Sequence, residues 1–253
     1  MRKPYIVGNW KMNLDIQQGV ELAAGLTFSE YNSDAVDVAI APSFVSLAPI
    51  NYYLNDNNST VALAAQNVSE HEEGAFTGEV SVSMLKSAGV STIIVGHSER
   101  RAIYNEDDEA INKKLRIALS NGFEVILCVG ETLFQRDADA AYDVVLSQIA
   151  LGLNDVPIDK IERVTVAYEP VWAIGTGKTA TPADAQKMHA AIREKLKSLY
   201  GPVMAGKIRI LYGGSVKPQN IKGLMNQPDV DGALVGGASL KYEDFLSIIN
   251  YND

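Results

Sequence analysis

Short apolar segments recur along the whole chain, and most are continuous runs without alternating polar positions. They are rich in β-branched residues, which is typical of strands buried on both faces. We predict a strand in each of these segments: Tyr5–Val7, Val36–Ala41, Val61–Ala65, Thr92–Val95, Phe123–Val129, Val164–Tyr168, Ile208–Tyr212 and Gly232–Val235.

The segments between the apolar runs show helical spacing and helix-end residues. A glycine follows directly where apolar spacing at every third or fourth position stops, as expected at a helix C-terminus. The predicted helices with such ends are Val80–Ala88, Asp107–Asn121 and Thr181–Tyr200, the last with Pro182 just inside its start.

Strands that alternate with helices predict a parallel sheet joined by right-handed crossovers. Eight such units in 253 residues fit a single domain, residues 1–253, folded as a closed (β/α)8 barrel of the α/β class. The alternative is an open doubly wound sheet. That fold usually carries G-x-G-x-x-G after its first strand, and this sequence does not.

The charge balance limits the partners of the protein. The chain has 22 Lys and Arg against 31 Asp and Glu, a net charge of −9, which excludes a general nucleic-acid surface. A site for an anionic ligand must therefore be positive locally. Cys128 is the single cysteine, which excludes an intrachain disulfide and a multi-cysteine metal site.

The N-terminal sequence MRKPYIVGNWKMN interrupts its apolar stretch with Gly8, Asn9 and Lys11. We expect neither a signal peptide nor a membrane span there, and no membrane partner. The expected location is the cytoplasm. Because H-E-x-x-H, EF-hand and Walker A sequences do not occur, we expect no metal and no nucleotide cofactor.

Active sites of barrels form at the carboxyl ends of the strands. We therefore examine the polar residues and glycines that directly follow the apolar runs. These candidates are Asn9, Lys11, His97, Glu99, Glu169, Ser215, Gly236 and Gly237.

Glu169 ends the sixth strand in an extended conformation, because Pro170 disfavours a helical backbone before it. The next stretch, Val171–Lys178, is too apolar for an idle loop and too rich in glycine for a helix. These features predict a lid that excludes water, with Glu169 as a catalytic base. The alternative is a carboxylate that only pairs with a nearby cation.

His97 lies at a predicted helix start, where the positive end of the helix dipole disfavours imidazolium. A structural histidine is the alternative. Lys11 could equally be a surface lysine, and its functional interpretation depends on Glu99 lying nearby. Glycine turns after strands seven and eight match the usual phosphate site of barrels, in which backbone N–H groups bind the anion.

The sequence resembles the triosephosphate isomerase family along essentially its whole length. The matching stretches are Gly8–Asn13 (GNWKMN), Gly96–Arg101 (GHSERR), Cys128–Thr132 (CVGET), Ala167–Gly177 (AYEPVWAIGTG) and Tyr212–Val216 (YGGSV). The resemblance implies a TIM barrel that interconverts dihydroxyacetone phosphate and D-glyceraldehyde 3-phosphate through an enediolate, in glycolysis and gluconeogenesis, without cofactor or metal.

The resemblance also implies a role for each site residue. Glu169 is then the base and His97 the electrophile, Lys11 faces the enediolate and the phosphate, Asn9 orders the polar site, and Glu99 orients Lys11. The phosphate clamp consists of main-chain N–H groups of Gly175, Ser215, Gly236 and Gly237. The lid consists of Val171, Trp172, Ala173, Ile174, Gly175, Thr176, Gly177 and Lys178.

A homodimer is implied by the long segment Gln66–Glu79, whose tip includes Phe76, Thr77 and Gly78 and which inserts into a partner in this family. A tetramer stays open. The rival functions are a non-catalytic barrel that binds phosphorylated sugars and another phosphate-binding barrel enzyme, such as a decarboxylase or synthase. Glu169 and His97 argue against the first rival, and the lid motif argues against the second.

Overall fold

The computed structural model describes residues 2–173 and 180–252. Within these residues, eight parallel strands form a closed barrel in chain order. The strands are β1 (Tyr5–Asn9), β2 (Asp37–Ala41), β3 (Ala62–Ala65), β4 (Thr92–Val95), β5 (Glu124–Val129), β6 (Val164–Tyr168), β7 (Ile210–Tyr212) and β8 (Gly232–Val235).

The barrel closes between its first and last strands. β1 pairs with β2 from Tyr5↔Asp37 onward and with β8 from Tyr5↔Gly232 onward, both in parallel. A sheet closed in this way has no free edge. The prediction of a (β/α)8 barrel is confirmed, and the open-sheet alternative is excluded.

Helices follow the strands and surround the barrel. They are α1 (Ile16–Thr27), α2 (Leu47–Asp56), α3 (Val82–Ser87), α4 (Ser98–Tyr104), α5 (Asp108–Ser120), α6 (Leu133–Asp137), α7 (Ala141–Gly152), α8 (Pro182–Ala205), α9 (Pro218–Met225) and α10 (Tyr242–Ile249). None of the helices in the described ranges is both long enough and apolar enough to cross a membrane.

Polar side chains fix the ends of the predicted helices. Asp107 precedes α5, and its carboxylate accepts a hydrogen bond from the N–H of Ala110. Thr181 and Asp184 form a capping box at the start of α8. Gly201 has a φ of 80° and breaks α8 where the sequence predicts its end, but helical turns continue to Ala205.

Apolar side chains of the strands pack in two layers. One cluster fills the barrel interior with Val7, Ala39, Ile94, Ala167 and their neighbours. A larger cluster lies between the strands and the helices. Because both faces are buried, the strands carry continuous apolar runs, and their carboxyl ends provide the positions open to a ligand.

Candidate active site

Glu169 lies at the carboxyl end of β6 and is 1% exposed. Its N–H donates to the carbonyl oxygen of Val129 at 2.8 Å, which continues the pairing with β5 by one residue. Gly130 and Gly213 flank it. A methyl group at Gly130 would lie 1.8 Å from the carbonyl oxygen of Glu169, so these glycines permit the close approach of the strand ends.

The carboxylate of Glu169 is held by groups at the start of α4. Its Oε1 lies 2.9 Å from Nε2 of His97, and its Oε2 accepts a hydrogen bond from the N–H of Ser98 at 2.9 Å. The sequence analysis did not identify Ser98 as a partner of Glu169. The structure thus brings the predicted base and the predicted electrophile into direct contact.

The tautomer of His97 follows from its two partners. Nδ1 accepts a hydrogen bond from the N–H of Glu99 at 3.3 Å, so Nε2 carries the hydrogen that is donated to Glu169. A neutral ring satisfies both contacts.

The contact between His97 and Glu169 shifts the pKa of both groups. Burial lowers the pKa of His97, but Glu169 and Glu99 raise it, and the net pKa lies above its ordinary value. Burial raises the pKa of Glu169, whereas His97, Ser98 and Lys11 lower it, and the net pKa lies below its ordinary value. The helix dipole is expected to disfavour imidazolium at His97, but the carboxylates of Glu169 and Glu99 oppose that effect in this arrangement.

Lys11 follows β1, and its ammonium lies 2.7 Å from Oε1 of Glu99. This contact agrees with the predicted orienting role of Glu99. The backbone of Lys11 has a φ of 53°, an uncommon value for a residue with a side chain. The side chain of Asn9 accepts a hydrogen bond from the N–H of Lys11 at 3.0 Å. Asn9 therefore supports the backbone of Lys11.

Sequence reasoning missed Gln66 as a support of Lys11. The amide nitrogen of Gln66 donates to the carbonyl oxygens of Lys11 at 2.7 Å and Ala41 at 2.8 Å. These bonds tie the segment after β3 to the ends of β1 and β2. The available signal was the position of Gln66 directly after a predicted strand.

A cleft of about 620 Å³ contains the predicted reacting residues together with Ser215, Gly236 and Gly237 of the predicted phosphate clamp. Asn9, Lys11, His97, Glu99 and Glu169 line one part of it, and Ser215, Gly236 and Gly237 line another. The Nζ atom of Lys11 lies 3.9 Å from the position that a Cβ of Gly236 would occupy. The lysine therefore faces both the reacting groups and the glycine turn after β8.

The lid prediction falls partly outside the described residues. Val171, Trp172 and Ala173 form a 3-10 helix. The indole N–H of Trp172 donates to Oε1 of Glu131 at 2.8 Å, and Arg136 stacks 4.4 Å from the Trp172 ring. The start of the segment is thus anchored beside β5. Ile174, Gly175, Thr176, Gly177 and Lys178 lie outside the described residues, so the lid and the clamp role of Gly175 stay predictions.

Three other residues could carry chemistry by their type: Cys128, which lies beside the Glu169 side chain, and the histidines His189 and His71. Cys128 is fully buried, and burial raises the pKa of its thiol well above the ordinary value. His189 is buried on α8, and His71 stacks on Phe76 at 3.7 Å in the segment after β3. Among the described residues, no group of three or more His, Cys, Asp or Glu is placed to hold a metal ion.

Comparisons with known proteins show the family to which this chain belongs. A sequence model of the family described as triosephosphate isomerase matches residues 4–252. A triosephosphate isomerase from Carboxydothermus hydrogenoformans is 51% identical over 249 residues, 98% of each chain. Another from Chloroflexus aurantiacus is 50% identical over 251 residues, 99% of this chain and 100% of the relative. Since the match extends over nearly the whole sequence, the chain belongs to the triosephosphate isomerase family.

Proposed function

We propose that Glu169, His97 and Lys11 carry out the reaction of this family in the cleft described above. The reaction interconverts dihydroxyacetone phosphate and D-glyceraldehyde 3-phosphate. The observation that carries the proposal is the buried Glu169 carboxylate, 2.9 Å from Nε2 of His97, in a cleft that also contains Lys11. A carboxylate base and an imidazole N–H donor are the two groups that proton transfer next to a carbonyl requires.

The chemistry begins when Glu169 removes a proton from the carbon next to the carbonyl. The electron pair of that C–H bond forms the C=C bond of an enediolate, and the negative charge moves to the carbonyl oxygen. His97 donates a hydrogen bond to that oxygen and moves a proton between the two oxygens. Glu169 then returns its proton to the neighbouring carbon, so atoms and charge balance.

This scheme requires the substrate to lie between Glu169 and His97. The contact between Glu169 and His97 must therefore break when the substrate binds. Separation removes the group that raises the pKa of His97 most, which favours the neutral imidazole as the hydrogen-bond donor. Lys11 lies close enough to the turn after β8 to stabilise both the enediolate and the phosphate.

The test is a coupled assay with glyceraldehyde 3-phosphate on the parent chain and on Glu169→Gln. The amide cannot accept the proton, and we expect kcat to fall by about 10²–10⁴-fold. Glu169→Asp is the matched control, because it keeps the carboxylate but shortens its reach, and it should retain intermediate activity. Near-normal turnover by Glu169→Gln would refute the assignment of the base.

We further propose that the protein is a homodimer, closed by the segment Gln66–Glu79. Residues 71–79 of this segment are exposed, and Phe76 projects near its tip. Other exposed apolar side chains lie directly after β1 and β2, on the same rim of the barrel: Met12, Phe44 and Val45. A second copy that covers this rim would bury them.

We also propose that the chain forms a single domain and that the protein is located in the cytoplasm. The pairing of β1 with β8 supports one domain over residues 1–253. The buried single cysteine and the family's substrates, which belong to central metabolism, support a location in the cytoplasm.

A further inference from the structure

The cleft extends beyond the residues assigned above. Past Ser215 and Gly236 it is also lined by Lys217 and Lys241. Lys217 directly precedes α9, and Lys241 directly precedes α10. Both lysines are exposed. They therefore lie on the side of the cleft where the glycine turns after β7 and β8 offer N–H groups to a phosphate.

Because the chain is negatively charged overall, these two lysines matter for attracting an anion, a role that the sequence alone did not indicate. The chain carries a net charge of −9, so its average field repels a phosphate dianion. Lys11 is already paired with Glu99 at 2.7 Å, and Glu169 adds another negative charge. Backbone N–H groups of the turns carry no net charge.

Lys217 and Lys241 are not neutralised in this way. Within the described ranges, no carboxylate oxygen lies within 4.0 Å of either ammonium. Asp244 also lines the cleft but forms no ion pair with them. The two lysines therefore provide exposed positive charge beside a site that must attract an anion.

We propose that Lys217 and Lys241 form a capture pair that draws the substrate phosphate from solvent into the cleft. Neither side chain bonds to Glu169 or His97, which are held by other groups. The pair therefore acts on association of the substrate and not on proton transfer. This inference rests on the phosphorylated substrate of the proposed function and adds residues that determine the rate of its capture.

The size of the effect depends on the local field at the cleft. Local fields at a cleft raise association rates of charged ligands by about 10- to 1,000-fold and weaken steeply with salt. Two exposed charges give part of such a field, so we expect removal of both to lower kcat/KM by about tenfold at low salt. Since the Debye length is only about 8 Å at 0.15 M, the deficit should shrink as salt rises.

The experiment compares the parent with the double variant Lys217→Gln, Lys241→Gln over a range of ionic strength. The control is Lys187→Gln, Lys222→Gln, since these exposed lysines of α8 and α9 do not line the cleft and their loss changes the net charge equally. Each protein is assayed with glyceraldehyde 3-phosphate and with unphosphorylated glyceraldehyde.

The expected result has four parts. The capture variant loses about tenfold in kcat/KM for the phosphorylated substrate at low salt. Its dependence on salt is shallower than that of the parent, its kcat stays within about twofold, and its kcat/KM for glyceraldehyde is unchanged. The control variant behaves like the parent.

Other outcomes would overturn the inference. An unchanged kcat/KM at low salt excludes capture, and an equal loss in the control assigns the effect to net charge. An equal loss with glyceraldehyde indicates a structural role, and a loss confined to kcat indicates a role in the chemical step. The parent's activity is measured in the same assay, so failure of the proposed function would be seen separately.

Discussion

His189 shows how a single buried residue can couple the stability of this protein to pH. It is fully buried on α8, its Nδ1 atom lies 3.0 Å from the carbonyl oxygen of Asp229, and the rings of Tyr168 and Tyr212 pack around it. A carbonyl oxygen only accepts, so Nδ1 carries a hydrogen. Burial lowers the pKa of His189 from 6.5 to about 4, because the charged ring would lose its hydration.

This low pKa predicts that stability falls in mild acid. Below pH 6.5 the unfolded chain binds a proton at this histidine, whereas the folded chain does not until about pH 4. The unfolded state is then favoured as pH falls, and between pH 7.5 and 5 the free energy of unfolding should drop by about 2 kcal/mol from this residue. Urea denaturation at several pH values measures the effect.

The control for this prediction is His189→Gln, which keeps a donor for the carbonyl oxygen of Asp229 but does not titrate. The raised pKa of His97 acts in the opposite sense, since it favours the folded state in acid, but it is common to both proteins. The difference between their pH profiles therefore isolates His189. Parallel profiles would contradict the prediction.

A site residue could be located from the sequence when its position depends on the strand that precedes it. It could not be located when its position depends on contacts with residues distant in the chain. Glu169 and His97 lie within two residues of strand ends, so barrel topology alone brings them to one rim. The N–H of Ser98 contacts Glu169, which is 71 positions away in the chain. The side-chain amide of Gln66 contacts Lys11, which is 55 positions away. No pattern in the chain specifies those partners, because they depend on how the ends of separate strands pack together.

At the scale of elements, the ends of β5 and β6 pack so closely that the backbone of Glu169 leaves no room for a side chain at Gly130. We predict that Gly130→Ala lowers activity and destabilises the fold by about 1–3 kcal/mol, because the added methyl group must displace the backbone of Glu169. Kinetics and urea denaturation measure the two effects.

Gly223→Ala is the matched control for Gly130→Ala. Gly223 lies inside α9, where an added Cβ would contact Pro182 at an ordinary 3.4 Å. Alanine should therefore be tolerated there, with a stability equal to the parent or up to about 1 kcal/mol higher. Normal activity of Gly130→Ala would show that the strand ends can move apart without displacing the base.

Most elements could be predicted because burial on both faces leaves a strong apolar signal. Three predicted strands, including Thr92–Val95, have the observed bounds. The first strand extends two residues further, through Gly8 and Asn9. An added methyl group at Gly8 would lie 3.0 Å from Phe245 and Ser239, so tertiary packing sets that end. The pattern of apolar residues along the chain does not indicate such a contact.

At the scale of the whole molecule, the segment Gln66–Glu79 links assembly to chemistry. Gln66 holds the carbonyl oxygen of Lys11, while the tip of the same segment exposes Phe76 and Thr77. In the proposed dimer the partner covers this tip and restricts the segment. Loss of the partner should therefore loosen the support of Lys11 and lower activity.

We predict that Thr77→Arg yields a poorly active monomer, because a charge at the tip would have to be buried against apolar side chains of the partner. Sedimentation velocity gives the assembly state, and the coupled assay gives the activity at the same protein concentration. Ser247→Arg, on the exposed face of α10, adds the same charge away from the rim and should remain dimeric and active. A parent chain that sediments as a monomer while fully active would refute the proposed dimer, and a dimeric, inactive Thr77→Arg would show that the tip serves the site without holding the subunits together.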